Sequence, residues 1–374
     1  MKENTAQSLE IAVLPGDGIG VEVTDASLEL LAAVQAACGG PRLHFTKYDA
    51  GAQYFLRSGT ALPAGTMEAC AKSDAMLFGA MGWPDVRQPD GTEIMPQLEL
   101  RMTFELYAGV RPIRWFPGLL PVLTDERARD MDFVVIREQT EGLFYARGRG
   151  RIENDSEAYD TMQITRAGTS RVCDFAFRLA GQRKARRGAH ASRVTCVDKA
   201  NVFTSMAFFR RIFDEVAARH PDIERDHWYV DAMAMMMVKR PWDLDVLVME
   251  NMYGDILSDL GAGLIGGLGM APSGDVGDRH GLFQPVHGSA PDIAGQGKAN
   301  PCAMFLSAAM MLDWLADRHH EPALEVSARV IEKAIELALT SGNVKPMEYG
   351  GNSGTAALTK AVIAAIPSAF NRIT

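Results

Sequence analysis

Short apolar runs alternate along the chain with longer stretches in which apolar residues recur at helical spacing. The short runs predict β-strands at 11–15, 43–49, 75–80, 132–138, 194–199, 227–232 and 245–250. The amphipathic stretches predict helices over 21–37, 167–185, 203–219, 303–317 and 323–340. Strands that alternate with helices in this way are typical of an α/β fold.

The segment 143–165 departs from this alternation. Its two outer parts, LFYARGRGRI and YDTMQIT, have residues that favour strands, and the polar sequence ENDSEA separates them. This pattern predicts an exposed β excursion, which we call the β arm. An arm of this kind either stays on its own chain or exchanges with a partner subunit, and the sequence leaves both possibilities open.

Composition narrows the class of protein. The chain has 374 residues, of which 47% are hydrophobic and 23% charged, enough to bury one large core or two domain-sized cores. Its net charge of -9 argues against a nucleic-acid surface. The cysteines lack CxxC spacing, and neither a signal peptide nor a membrane span is visible. We therefore expect a cytoplasmic protein without nucleic-acid or membrane partners.

Two acidic residues form a candidate metal site. Asp255 and Asp259 are four positions apart, in a predicted helix that follows the strand at 245–250. At this spacing both carboxylates lie on one helical face, and oxygen ligands are those that hard divalent cations prefer. Acids that complement the helix dipole would give the same pattern.

Three arginines and a lysine are candidates for substrate chemistry. The planar guanidinium groups of Arg101, Arg111 and Arg137 would suit a substrate with two carboxylates if they converge on one pocket. Lys199 and Asp231 each lie at the end of a predicted strand, and a lysine beside an aspartate can act as a general base. Ordinary surface ion pairs are the alternative interpretation.

The glycine-rich sequence LPGDGIGVEV follows the first predicted strand. Its glycines, Gly16, Gly18 and Gly20, are spaced G-x-G-x-G, whereas the Rossmann fingerprint requires G-x-G-x-x-G. We therefore predict a tight strand-to-helix turn that requires positive φ, and not a Rossmann phosphate site.

Taken together, the motifs resemble those of the β-decarboxylating dehydrogenases, the family of isopropylmalate, isocitrate, homoisocitrate, tartrate and D-malate dehydrogenases. The motifs, in the family's order from Ile11 to about Asn352, are LPGDGIG, the Arg101 and Arg111 spacing, REQTEG, VDKANV, VDAMAM, GDILSDL and HGSAPDIAGQGKANP. The resemblance implies a two-domain α/β fold of the isopropylmalate dehydrogenase type. Residues 1–106 and 266–374 would form the large, discontinuous cofactor-binding domain, and 107–265 the smaller domain for substrate, metal and dimerisation.

The resemblance also implies a homodimer whose active sites take residues from both subunits. Arg101, Arg111 and Arg137 would bind the carboxylates of a small dicarboxylic 2-hydroxy acid. The metal, Mg²⁺ or Mn²⁺, would bind Asp255 and Asp259 of one subunit and Asp231 of the other. Lys199 of that other subunit would remove the hydroxyl proton as hydride leaves, and the cation would assist the loss of CO2.

One position departs from the family pattern. Phe144 occupies the place of the tyrosine that normally supplies a proton after decarboxylation, and Tyr145 is its neighbour. A phenyl ring has no proton to donate. In a strand at 143–152 the two side chains would face opposite sides, so Tyr145 would need a bulge to act as the acid, or water would serve. We expect altered partitioning or an unusual substrate.

The cofactor expected from the resemblance is NAD. Asp292 lies where the family places its ribose-binding acid, and a carboxylate there accepts hydrogen bonds from the ribose and repels a 2′-phosphate. The other residues assigned to the cofactor site are Ile19, His287, Gly288, Ser289, Ala290 and Asn300.

The substrate is narrowed to a 3-substituted malate. Residues expected near its substituent are Ile94, Gln97, Leu98, Asn201 and Val202, and the loop offers no serine or arginine for a third carboxylate. VDKANV and YVDAMAM favour a 3-isopropylmalate-type substrate, whereas Gln97 and FGAMGWPD favour tartrate or D-malate. Two further hypotheses are a catalytically altered paralogue and a binding protein without redox chemistry.

Overall fold

The computed structural model describes residues 8–89, 91–187 and 192–374. The strands are β1 (Ser8–Leu14), β2 (Arg42–Lys47), β3 (Ala75–Phe78), β4 (Ala108–Arg114), β5 (Asp132–Glu138), β6 (Arg151–Glu153), β7 (Glu157–Tyr159), β8 (Arg193–Asp198), β9 (Glu224–Tyr229), β10 (Val246–Met249), β11 (Pro272–Val276) and β12 (Gly281–Pro285). The helices are α1 (Ile19–Cys38), α2 (Ala52–Ser58), α3 (Ala64–Lys72), α4 (Pro96–Thr103), α5 (Arg166–Arg187), α6 (Thr204–Ala217), α7 (Val230–Lys239), α8 (Asn251–Leu264), α9 (Cys302–His319), α10 (Pro322–Thr340) and α11 (Thr355–Ile373). In the described part of the chain, no helix is both long enough and apolar enough to cross a membrane.

Ten strands form one continuous sheet in the order β2-β1-β3-β12-β11-β4-β5-β10-β8-β9. The strands at each end of the sheet pair in parallel, while β11 is antiparallel to both β12 and β4, and β4 is antiparallel to β5. Helices cover the sheet, so β3 and β10 are buried along their whole length. The α/β class predicted from the apolar pattern is confirmed.

The strand order is compatible with the predicted division into two domains. Strands from 1–106 and 266–374 occupy one half of the sheet, and strands from 107–265 occupy the other. The halves meet where β11 pairs with β4, and the sheet continues across this junction. The domain boundaries therefore stay a prediction.

The β arm is a hairpin in which β6 and β7 pair antiparallel as a separate two-stranded sheet, and all their residues are exposed. The expectation of a strand beginning at 143 is wrong, because Leu143–Ala146 forms a 3-10 helix. Gly142 caps the beginning of this 3-10 helix with a positive φ of 76°, which favours glycine. Adjacent side chains here therefore do not alternate between two faces as they would in a strand.

Candidate active site

A cavity of about 230 Å³ lies over one face of the central strands. Its walls hold all three predicted arginines and both aspartates of the predicted metal site: Arg101, Arg111, Arg137, Asp255 and Asp259. These residues come from α4, β4, β5 and α8, elements that are far apart in sequence. The fold thus brings together the two constellations that the sequence showed only separately.

A larger cavity, of about 730 Å³, lies on the opposite face of the same strands. Val110 and Pro112 line it, and they flank Arg111 along β4, where successive side chains point to opposite faces. None of the residues predicted for catalysis or ligand binding lines this larger cavity. The smaller cavity is therefore the candidate active site in spite of its size.

Arg101 and Arg111 share one buried carboxylate. Nε of Arg101 donates to Oδ2 of Asp275 at 2.8 Å, and Nη1 of Arg111 donates to Oδ1 at 2.9 Å. Burial by itself raises the pKa of Asp275, but the two guanidinium groups outweigh it and hold that pKa below its ordinary value. Asp275 is therefore a buried, ionised counter-ion of two arginines that line the cavity.

Arg137 is held by the beginning of α8. Its Nε and Nη2 both donate to Oδ1 of Asn251, at 2.9 and 2.8 Å, and its Nη1 donates to Asp255. Burial lowers the pKa of Arg137 to about 10, so the group stays protonated at neutral pH. The Phe144 ring lies against the guanidinium, with its centroid 5.0 Å away. Phe144 is thus part of the cavity wall and supports the arginine.

The two aspartates of α8 have the geometry expected from their spacing. Glu250 caps the helix by accepting a hydrogen bond from the Tyr253 N–H at 2.8 Å, which fixes where the helix begins. Burial and the neighbouring Asp255 raise the pKa of Asp259. Two carboxylates that line one cavity also suit a shared hard cation.

Lys199 and Asp231 form an ion pair at 2.7 Å. This hydrogen bond from Lys199 lowers the pKa of Asp231. Asp231 lies in the first turn of α7 and not at the end of a strand as expected, because β9 ends at Tyr229. Neither residue lines the cavity of its own chain, and the exposed Asn201 and Val202 also lie outside it.

The three predicted metal ligands therefore do not come together within one chain. No three His, Cys, Asp or Glu side chains come together to hold a metal ion among residues 8–89, 91–187 and 192–374. Asp255 and Asp259 nevertheless supply the oxygen donors that Mg²⁺ and Mn²⁺ prefer. The donor chemistry of these two aspartates fits the predicted metal, and their role as ligands stays a prediction.

The glycine-rich turn packs against the predicted cofactor loop. Gly16 and Gly18 have φ of 74° and 58°, which confirms the predicted tight turn, whereas Gly20 is within α1. The Ile19 N–H donates to the Ser289 carbonyl at 2.8 Å. A Cβ on Gly18 would lie 2.0 Å from that carbonyl oxygen, so only glycine allows this approach.

His287 and Gly288 extend this loop into the cavity wall. Nε2 of His287 is buried and has no hydrogen-bond partner among the described residues. Burial lowers the pKa of His287, which favours the neutral ring. An unpaired buried nitrogen beside the cavity fits a ligand that would supply the missing partner.

Other residues predicted for the cofactor lie farther from the cavity. Asp292 is exposed in the turn after Ala290, and neither residue lines the cavity. Asn300 is committed to the fold: its side chain donates to Glu348 at 2.6 Å and accepts from the Cys302 N–H at 3.1 Å. The cofactor roles of these residues stay predictions.

Two residues lie elsewhere than expected. Ile94 is buried against Ala52 and Val86 in a separate small core and does not line the cavity, so its place beside the substrate stays a prediction. It precedes α4, whereas Gln97 and Leu98 on the helix do line the cavity. Tyr145 is also absent from the wall, and its ring instead lies 3.9 Å from the Arg149 guanidinium.

Sequence reasoning missed the residues that orient the arginines. Asn251 was visible as the beginning of the motif NMYGDILSDL, but nothing in that motif indicated a contact with Arg137. Asp275 lies in the short strand β11, which the apolar pattern did not predict. Its separation of 174 residues from Arg101 leaves no local signal of the pairing.

An α/β sheet with a cavity of arginines and aspartates has the charges that an enzyme acting on small carboxylic acids requires. A family model described as isocitrate/isopropylmalate dehydrogenase matches residues 10–366. The 3-isopropylmalate dehydrogenase of Anaeromyxobacter dehalogenans is 40% identical over 362 residues, which are 95% of this chain and 98% of that protein. The 3-isopropylmalate/3-methylmalate dehydrogenase of Methanocaldococcus jannaschii is 39% identical over 347 residues, 92% of this chain and 95% of that one.

Solved structures agree. The crystal structure of isocitrate dehydrogenase from Methylococcus capsulatus superposes with a TM-score of 0.82 and 35% identity, covering 96% of this chain and 99% of the other. The apo β-decarboxylating dehydrogenase of Thermococcus kodakarensis gives a TM-score of 0.79 and 36% identity, with 96% of each chain covered. The chain therefore belongs to the isocitrate/isopropylmalate dehydrogenase family. It is a decarboxylating dehydrogenase, as the motifs indicated.

Proposed function

We propose that the protein catalyses the NAD-dependent, divalent-metal-dependent oxidative decarboxylation of a 3-substituted malate, and that a 3-isopropylmalate-type acid is its substrate. The observation that carries this proposal is the single cavity in which Arg101, Arg111 and Arg137 face Asp255 and Asp259. Guanidinium groups bind the two carboxylates of a malate, and the aspartates hold the cation that its oxygens also require.

The residues of the cavity wall favour a substrate with an alkyl substituent. Met81, Met95 and Leu98 line it together with Phe144, and they supply apolar surface beside the arginines. No further arginine lines the described wall where a third carboxylate would lie. An isopropyl group gains from burial against such a wall, while a carboxylate there would be desolvated without a partner.

A second candidate function rests on Gln97. Its Oε1 is buried in the cavity wall and has no hydrogen-bond partner among the described residues. A hydroxyl on the C3 carbon of the substrate would satisfy that oxygen, because an unpaired buried acceptor costs free energy. This observation favours tartrate as the alternative substrate.

Separate groups of residues would hold the two proposed cofactors. Asp255 and Asp259 would hold Mg²⁺ or Mn²⁺ together with Asp231 of the partner subunit. The loop at 287–290 and Asp292 would hold NAD, which would supply the hydride acceptor for oxidation at C2. When bound, the divalent cation withdraws electron density from the oxygens of the substrate and makes the loss of CO2 easier.

The side chains of the protein would do the remaining work. Arg101 and Arg111 would hold a substrate carboxylate, and Arg137, which contacts Asp255, would add a third positive charge beside the aspartates. Lys199 of the partner subunit accepts the proton of the C2 hydroxyl. Because Phe144 cannot donate a proton and Tyr145 lies outside the cavity, we propose that water protonates the carbon that loses CO2.

A substrate comparison tests this function. We would measure kcat/KM with NAD⁺ and Mn²⁺ on 3-isopropylmalate, D-malate, tartrate and isocitrate, and we expect the highest value for 3-isopropylmalate. A clear preference for isocitrate would contradict our interpretation of the cavity wall. Gln97→Leu is the matched variant: it should shift the ratio of 3-isopropylmalate to tartrate activity upwards by about tenfold or more. An unchanged ratio would remove Gln97 from the specificity argument.

A further inference from the structure

We propose that Asp275 is the positioning residue of the substrate site. Its buried carboxylate holds the guanidinium groups of Arg101 and Arg111 in a fixed orientation toward the cavity. This inference rests on the proposed function in one respect, namely that these two arginines bind a substrate carboxylate. The residue itself carries out no chemical step. Its role would be to hold two guanidinium groups ready for the ligand.

Asp275 is a fully buried carboxylate with four hydrogen-bond donors. Oδ1 accepts from Nη1 of Arg111 at 2.9 Å and from Nε2 of Gln139 at 3.0 Å. Oδ2 accepts from Nε of Arg101 at 2.8 Å and from Nε2 of Gln284 at 3.2 Å. With both oxygens engaged twice, the carboxylate has no freedom to rotate, and neither do the guanidinium groups that it holds.

The backbone of the sheet leaves space for this arrangement. Asp275 of β11 lies opposite Gly109 of β4, and Gly109 in turn lies opposite Arg137 of β5. A Cβ on Gly109 would lie 2.0 Å from Nε2 of Gln139, so a side chain there would displace one of the four donors. The missing side chain at Gly109 thus leaves room for the Gln139 amide, which reaches Asp275.

The contacts with Asp275 also determine which N–H groups of the two arginines can donate to a ligand. Arg101 uses its Nε and Arg111 its Nη1 on Asp275, which leaves their other N–H groups to donate to a substrate carboxylate. Burial, followed by the repulsion of Arg101, lowers the pKa of Arg111, and Asp275 offsets part of both effects. Without the carboxylate, two buried cations would repel each other and turn apart.

The test compares Asp275→Asn with Asp245→Asn. Asp245 also pairs with a largely buried arginine, since it accepts from Nε of Arg183 at 2.8 Å, but it precedes β10 at the end opposite to α8. Both variants should lower Tm through the loss of an ion pair. Only Asp275→Asn should lower kcat/KM for the best substrate, by about 100-fold, since small displacements of positioning groups cost this much.

A binding measurement separates positioning from electrostatics. Malonate, a small dicarboxylate that cannot be oxidised, would be titrated calorimetrically into the wild type and both variants. Removal of a negative charge beside an anion site would by itself strengthen malonate binding. We expect binding to Asp275→Asn to be about tenfold weaker, as lost charged hydrogen bonds predict.

The double variant Asp275→Asn, Gln284→Glu returns a carboxylate to the same arginines, since Gln284 already contacts Asp275. We expect it to recover part of kcat/KM and of malonate affinity. Equal kcat/KM in Asp275→Asn and Asp245→Asn, or malonate binding to Asp275→Asn that is unchanged or tighter, would overturn the positioning role. If the wild type oxidises none of the acids but Asp275→Asn still weakens malonate binding, the proposed function fails and the positioning role stands.

Discussion

Lys199 and Asp231 are paired at 2.7 Å, yet neither lines the cavity that contains Asp255 and Asp259 of the same chain. If catalysis needs both groups, Lys199 must reach the cavity of a partner subunit. Two inactive variants should then complement each other. The experiment combines a Lys199→Met subunit with an Asp255→Asn subunit in one dimer.

The expected magnitude follows from twofold symmetry. Each variant alone should lose about 100-fold or more of kcat, because one removes the general base and the other a metal ligand. In the mixed dimer one site has both substitutions, while the other combines an intact Asp255 with an intact Lys199. A mixed dimer should therefore have about half of wild-type activity, and random assortment of the two subunits should give about a quarter.

The assay uses two affinity tags. Co-expressed subunits with different tags are purified over both columns, so that only mixed dimers remain, and NADH formation is measured with the best substrate of the four acids. A wild-type subunit paired with Lys199→Met is the control and should also give about half of full activity. Mixed dimers as inactive as the two parents would refute the shared site and require Lys199 to act within its own chain.

Four further predictions follow from single positions. Tyr145→Phe should leave kcat within about twofold, because the ring lies outside the cavity and surface changes of this kind have small effects. Burial raises the pKa of Glu138 to about 7 from an ordinary 4.5, so the folded state binds more protons and stability falls as the pH rises through this range. Between pH 5 and 8, the free energy of unfolding measured with denaturant should fall by about 3 kcal/mol less in Glu138→Gln than in the wild type. Asp292→Asn should lower the NAD to NADP ratio of kcat/KM by about tenfold. Gly18→Ala should lower the free energy of unfolding by more than about 1 kcal/mol, since a Cβ there meets backbone at 2.0 Å, whereas Gly181→Ala, with open space around it in α5, should raise it slightly.

Each of these has an outcome that counts against it. A large loss of decarboxylation in Tyr145→Phe would mean that the tyrosine reaches the site in the active state. If the free energy of unfolding changed with pH in the same way in Glu138→Gln and the wild type, the buried carboxyl of Glu138 would not be the cause of the change. An unchanged cofactor ratio would place the ribose contact away from Asp292. Equal effects of alanine at Gly18 and Gly181 would contradict the close approach at Gly18.

Elements with continuous apolar runs or a clear helical period could be predicted from the order of residues alone. The strand predicted at 132–138 is β5 at Asp132–Glu138, and the helix predicted at 323–340 is α10 at Pro322–Thr340. Local periodicity also placed Asp255 and Asp259 on one face of α8, because four positions make about one helical turn. Signals of this kind depend on near neighbours in the chain, so a single sequence contains them.

The partners of those side chains depend on the packing of distant parts of the chain. The strands β4, β11 and β12 contain Gly, Pro or polar residues in place of an apolar run, and their place in the sheet comes from pairing with distant strands. The same pairing puts Asp275 beneath arginines that are 174 and 164 residues away, and it directs Ile94 into a separate core. Contacts across such separations depend on strand order and register, which local patterns of polarity do not contain.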